Sequence, residues 1–334
     1  MNTKYDVITI GSATRDIYLE GPAFIPIIDK SFETGAGICV NLGSKVDVTK
    51  MHLATGGSAL NAAVTFARQS LKTALIAKLG RDEHAESVRR RLSEEGIADD
   101  FLHEHEKELT ATSILIHSPD GERSIFVYRG ASSHLTPEEV NVPDVLSRTK
   151  WIYMTHMAQE SKEVFEAIMA GAKEAGVRVA INPGSTQLDM GEALVPLLKN
   201  VSVLFVNQEE AATLTGVDYK DEAGVFAKLD EWVEGVVVMT KGKEGVAVSD
   251  GAKRYSAPTL PDAGLVDRTG AGDAFGSAFT SVIAKGGTIE EAIQLGSANA
   301  TGVITQWGAN QGLLGVDDSA DKYGTLDIRV TSLS

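Results

Sequence analysis

The chain has 334 residues, with 31 Lys+Arg against 46 Asp+Glu, a formal net charge of −15 and a single cysteine, Cys39. The length allows one large α/β domain or two ordinary ones, and it can bury a full core. The acidic balance, spread along the chain with no Lys/Arg-rich tract, excludes phosphate-led nucleic-acid binding and a polybasic membrane patch.

In chain order, residues 1–10 are too short and too charged for a secretory apolar region. One cysteine rules out an intrachain disulfide or a cysteine-rich zinc site, and suits a reducing cytoplasm. Residues 5–11 form a β-branched run ending at a glycine, the pattern of a buried first strand. From 16 to 50 the pattern is irregular, with Pro22, Pro26 and an alternation at 45–48, which predicts short strands outside the main sheet. Residues 57–69 read as a helix, followed by a strand at 73–78 and a charged helix at 82–95. Strands at 110–117 and 123–128 flank a hairpin turn at 118–122. Beyond 150 the alternation becomes regular. Strands are predicted at 151–154, 177–181, 201–206 and 236–240, with a second hairpin at 245–249 and 253–256. Helices are predicted at 161–175, 208–214, 274–284 and 289–305. This alternation argues for a parallel sheet covered on both faces, with a small β appendage and no linker or repeat. The longest charge-free run, residues 292–316, carries too many polar residues for a membrane helix.

The strongest local signal is Asp267-Arg268-Thr269-Gly270-Ala271-Gly272-Asp273, placed just before a helix. Its glycines let the backbone turn sharply and present consecutive N–H groups, and the helix start adds positive dipole, so the segment suits a phosphate or developing negative charge. Asp273 can accept the proton of an attacking hydroxyl, or simply cap the helix. A dinucleotide fingerprint fits less well, because two helices rather than a strand and an acid follow. Gly56, Gly57, Ser58 and Asn61 open another helix. They permit close ligand approach, or make an ordinary N-terminus capped by Ser58. Asn207 and Glu210 are spaced as a capping box, or as a phosphate contact and a carboxylate steering hydrated magnesium. Thr240, Lys241 and Gly242, and likewise Asn182, end strands where doubly wound sheets bind ligands, and Asp16 follows the first strand. The scattered histidines predict no structural metal.

Together these residues resemble the PfkB carbohydrate kinases, the ribokinase family. The glycine pair with Asn61, the Asn207/Glu210 pair and the segment 267–273 occur in the family's order across nearly the whole chain. The resemblance implies a three-layer αβα sandwich with a mainly parallel sheet. A β lid would come from about 16–50 and 100–130 of a single kinase domain spanning 1–334. It implies ATP- and Mg2+-dependent phosphorylation of a sugar or sugar-acid hydroxyl. Asp273 would be the base, and the N–H groups of Gly270, Ala271 and Gly272 the anion hole. Asp16, Gly56, Gly57 and Asn61 fall on acceptor-binding positions. Thr14 stands where ribokinases proper have Asn, and Arg129 lies in a segment similar to fructokinases and 2-keto-3-deoxygluconate kinases, where it can pair with a carboxylate. Asn182, Asn207, Thr240, Lys241, Gly242, Gly245, Thr269, Asn299 and Gly308 fall on the nucleotide side, with Glu210 on magnesium. A monovalent cation, K+, is implied beside Asp267, and a homodimer through the lid is common among relatives. The alternatives are a nucleoside kinase of the same fold and a catalytically inactive sugar-binding sensor.

Overall fold

The computed structural model describes residues 4–32, 34–118, 122–158, 160–261 and 263–333. β1 (Tyr5–Ile10) leads into β2 (Thr14–Glu20), the short hairpin β3 (Pro26–Ile28) and β4 (Ala36–Ile38), and then β5 (Lys50–Gly56). α1 (Ser58–Arg68), β6 (Thr73–Leu79), α2 (Glu83–Glu94) and β7 (Ala98–Glu104) follow, before the pair β8 (Thr112–His117) and β9 (Arg123–Tyr128). The regular half runs α3 (Val142–Ser147), β10 (Thr149–Met154), α4 (Ser161–Ala175), β11 (Arg178–Ile181), α5 (Ser185–Leu188) and α6 (Val195–Leu198). It continues with β12 (Val203–Asn207), α7 (Gln208–Thr215), α8 (Glu222–Trp232), β13 (Val236–Thr240), β14 (Val246–Ser249) and β15 (Lys253–Ala257). α9 (Ala271–Ala284), α10 (Ile289–Ile304) and β16 (Arg329–Ser332) close the chain.

Ten strands make one sheet in the order β16-β15-β14-β13-β12-β11-β10-β1-β6-β7, parallel from β13 to β7 and antiparallel at the β14–β16 edge. Successive residues of the central strands point into different cores. Ile8, Ile152 and Leu204 join the side chains of α3, α4, α7 and α8, while Val7, Trp151 and Phe205 pack on Phe66 of α1 and Phe275 and Phe279 of α9. Burial on both faces is why these strands read as unbroken apolar runs rather than alternating ones. The result is the expected αβα sandwich.

β5, β2, β8 and β9 form a separate four-stranded sheet, the expected lid. Residues 45–48 are not part of it despite their alternation, because the strand begins at Lys50. Residues 119–121 of the predicted hairpin turn lie outside the described residues. Sequence reading missed β7 and β16, both sheet-edge strands, because edge strands carry the polar residues that blunt pairing and blur periodicity. It also missed α8, capped by Asp221 and burying Val225, Phe226 and Leu229. Among the described residues no helix is long and apolar enough to cross a membrane.

Candidate active site

The topology locates a crevice before any side chain is considered. The chain leaving β1 next joins the sheet at β6, on one side, and the chain leaving β10 joins at β11, on the other. β1 and β10 are neighbours, so their C-terminal ends mark the point where connections diverge and leave a gap. The lid sheet springs from the same end, since β2 begins just beyond β1 and β5 runs straight into α1.

Asp273 stands in the first turn of α9, behind Gly270 as N-cap. Gly270 has φ 84°, a left-handed conformation that side chains resist, and a Cβ there would press on Ala309 at 2.6 Å. The Asp273 side chain does not cap its own helix. Its Oδ2 accepts instead from Asn61 Nδ2, at 2.9 Å, across the gap to α1. Asn61 in turn accepts from Asn310 Nδ2 at 3.1 Å, and Asn310 also donates to the Thr55 carbonyl at 2.8 Å. Ser58, read from sequence as a cap, is the first residue of α1 behind Gly57, and its hydroxyl also bonds Asp273. Burial raises the Asp273 pKa above the ordinary aspartate range, against the pull of the Asn61 and Ser58 hydrogen bonds. A carboxylate held in one orientation and made more basic than a surface aspartate has what a general base needs.

The Ala271 N–H meets the Arg268 carbonyl at 3.3 Å. Of the three expected donors it is therefore shared within the turn, and the first-turn N–H of Gly272 lies ahead of the intrahelical ladder. A Cβ at Gly272 would meet only open space.

Asp16 lies within β2 rather than at a strand end, 3% exposed, on the face of the lid sheet turned toward the body. Thr14 Oγ1 donates to its Oδ1 at 2.8 Å, so Thr14 orients Asp16. Burial pushes the Asp16 carboxyl up to about 6, against hydrogen bonds from Thr14 and Ser113, while the charge of Asp267 adds to the rise. Gly56 is required here by close approach, because a Cβ would stand 1.9 Å from Asp16 Oδ2. Arg129 is exposed, and its Nη1 donates to His156 Nε2 at 3.1 Å beside Gly11 and Ser12. Burial, helped by the Arg129 charge, keeps the His156 pKa low, so its ring accepts that bond as the neutral form.

A profile described as pfkB family carbohydrate kinase matches residues 28–314. The chain belongs to the pfkB carbohydrate kinase family. Ribokinase of Haemophilus influenzae is 30% identical over 268 residues, 78% of this chain and 84% of that protein. Cytidine kinase of Thermococcus kodakarensis is 28% identical over 260 residues, 76% and 88% of the two chains. The solved structure of Arabidopsis thaliana ribokinase complexed with ribose and ATP superposes with a TM-score of 0.77 at 22% identity, covering 94% and 97% of the two chains. This pfkB chain is a kinase for a sugar or a nucleoside.

On the far side of the pfkB crevice, Asn207 and Thr240 are register partners at the C-terminal ends of β12 and β13, and Asn182 follows β11. The capping reading of Asn207 and Glu210 is realised in both directions. Asn207 Oδ1 accepts from the Glu210 N–H at 2.9 Å, and Glu210 Oε2 accepts from the Asn207 N–H at 2.8 Å. Burial nevertheless raises the Glu210 pKa, helped by Glu209. Lys241, expected near phosphate, has its Nζ on Glu222 at 3.0 Å, and Gly242 and Gly245 shape the turn between β13 and β14.

Two residues expected on the nucleotide side are closely held by neighbours in the fold. Asn299 is fully buried, and its amide ties α10 to the Ala274 carbonyl, Thr65 and the Leu314 N–H. Gly308 lies under the lid, where a Cβ would come 3.1 Å from the Ala54 methyl group, next to Trp307 stacked on His52. The charge-free run reaches the Asn61–Asp273 pair through Asn310, whose amide donates to Asn61, and meets the lid through Trp307, stacked on His52.

The K+ expected beside Asp267 would meet an Oδ1 that is already engaged. Asp267 Oδ1 accepts from the N–H and hydroxyl of Thr269, at 3.1 and 2.8 Å, so the Thr269 hydroxyl is also engaged. His117 Nε2 lies 3.4 Å from the same oxygen and Arg123 Nε 3.7 Å. Hard cations take oxygen ligands, and here a guanidinium and an imidazole face the carboxylate. Burial works against the Asp267 charge, but hydrogen bonds from His117 and Thr269 and the Arg123 charge hold its pKa below the usual range.

Proposed function

We propose that this protein catalyses ATP-dependent phosphorylation of a sugar or sugar-acid hydroxyl, with Asp273 as general base and the backbone around Gly270 and Gly272 as the anion hole. The observation that carries the reading is the Asn61–Asp273 bond, which holds a carboxylate of raised pKa in the first turn of α9. A sugar hydroxyl is a weak nucleophile and needs both proton removal and in-line placement. Asp16, with Gly56 and Gly57 giving it room, binds acceptor hydroxyls. Asn61 orients Asp273. Arg129 favours an acceptor bearing a carboxylate. Asn182, Asn207, Thr240, Gly242 and Gly245 form the nucleotide edge, and Glu210 is the carboxylate that would hold magnesium through water. Magnesium, when bound, neutralises charge shared between phosphate oxygens. The single exposed Cys39 suits a reducing cytoplasm. ADP release measured across sugars, sugar acids and nucleosides tests the reading. Turnover is expected with a sugar or sugar acid, and turnover of nucleosides alone would overturn it.

The outer face of the lid supports a dimer. Leu53, Ile17, Ile114 and Phe126 make one row across β5, β2, β8 and β9, and Leu53, Ile114 and Phe126 are exposed. An apolar sheet face of this kind is a docking surface or an aggregation liability. We expect a dimer in light scattering and a monomer for Ile114→Asp; a monomeric wild type at micromolar concentration removes the proposal.

A further inference from the structure

Three contacts join the tip of the lid strands β8 and β9 to the loop that enters α9. His117 and Arg123 face Asp267 Oδ1, and Arg268 Nη1 reaches Glu122 Oε1 at 3.4 Å. Asp267 is 3% exposed, and its Oδ1 is crowded with Thr269 donors. Its Oδ2 is buried without a hydrogen-bond partner, and so is Arg123 Nε. Arg123 Nε lies 3.7 Å from the other oxygen of the same carboxylate, so this unmatched oxygen and unmatched guanidinium N–H are the two halves of a charge-assisted bond that a small movement of the lid would complete. An added cation at Oδ2 would instead stand close to the guanidinium in a poorly screened interior, where like charges repel strongly. Asp267 also acts on Asp16 of β2, itself an anion; the guanidinium acting on Asp267 is that of Arg123, while Asp16 feels Arg15.

We propose that Arg123 of the lid, and no metal ion, is the cation that neutralises Asp267, so that the position of the lid sets the position of the glycine loop. Arg123 is then a positioning residue, acting through Asp267 on Gly270 and Gly272. The inference rests on the reading of that loop as the anion hole. It also predicts that the kinase works without a monovalent cation.

The test compares wild type, Arg123→Lys and Arg123→Met in buffers of potassium or tetramethylammonium chloride at equal ionic strength, reading both kcat and melting temperature. Wild type is expected to differ less than twofold in kcat between the two salts, with no potassium-specific shift in melting temperature. Arg123→Met should lose at least tenfold in kcat, more than any change in acceptor KM, and should gain a potassium-specific rise in melting temperature. Arg123→Lys should keep most of the wild-type rate. Saturable potassium activation of the wild type by tenfold or more would overturn the proposal. So would an Arg123→Lys protein as impaired as Arg123→Met, or an Arg123→Met protein as active as wild type. The melting measurement needs no turnover, so failure of the kinase reading, seen as absent ADP release by wild type, is distinguishable from failure of this one.

Discussion

Asp273→Asn is expected to lower kcat by about 10²–10⁴-fold, the usual contribution of a positioned general base, while leaving ATP binding within a few-fold of wild type. Asparagine has nearly the same shape and can still accept from Asn61 through its carbonyl oxygen, so the α1–α9 contact survives. What disappears is the proton acceptor. The pH profile gives an independent check. The base must be ionised to work, and burial raises its pKa above the ordinary aspartate value of 3.8. The rate should therefore fall as pH drops through that raised pKa, with the acid limb lying above the range of a surface aspartate. The residual rate of Asp273→Asn should lack this limb. An unchanged kcat, or an identical acid limb in the variant, would refute the assignment. Calorimetric ATP titration separates loss of chemistry from loss of binding.

Much of the fold was legible because its central strands and helices are governed by local patterns. The parallel strands are buried on both faces and so read as apolar runs. The segment 267–273 announced itself because a tight turn into a helix needs a glycine at 270, whose φ of 84° excludes most side chains. Less legible were residues whose role depends on a partner far away in sequence. Asn310 reaches Asn61 over 249 positions, and nothing in its neighbours marks it beyond being a polar residue in a charge-free run. His117 and Arg123 looked like ordinary strand ends until β8 and β9 brought them over Asp267. Asn299 is hard to read for the opposite reason. A polar side chain on a helix near the crevice can face a ligand or satisfy buried backbone groups, and only packing decides; here the Ala274 carbonyl and the Leu314 N–H take it. The Asn207/Glu210 spacing fitted a cap first and a phosphate site second, because a helix N-terminus serves both.

Asp16→Asn is expected to make the protein more stable at neutral pH and nearly inactive. The buried Asp16 carboxyl titrates at about 6 in the folded chain, against 3.8 for an ordinary aspartate. Below pH 3.8 both folded and unfolded chains hold the proton, and Asp16 carries no ionisation penalty. Between 3.8 and about 6 the folded chain holds a proton that the unfolded chain has released, so stability falls as pH rises. Above about 6 the penalty is complete, roughly 3 kcal/mol at about 1.36 kcal/mol per pKa unit. Asparagine removes it. A gain of a few degrees in melting temperature at pH 7.5 should follow, shrinking toward zero near pH 4, as measured by calorimetry at the two pH values. Activity should move the other way. Thr14 and Ser113 donate to the carboxylate, but those bonds do not offset its burial. Acceptor hydroxyls would supply the donors it lacks, at roughly 1.5–3 kcal/mol for each hydrogen bond to a charged group, so kcat/KM for the acceptor should fall by at least tenfold per bond lost. A variant that gains no stability at pH 7.5, or that keeps its kcat/KM, would show that this carboxylate is neither strained by burial nor reserved for substrate. Both changes together would mean that the folded chain tolerates an unfavourable buried charge so that the acceptor can satisfy it.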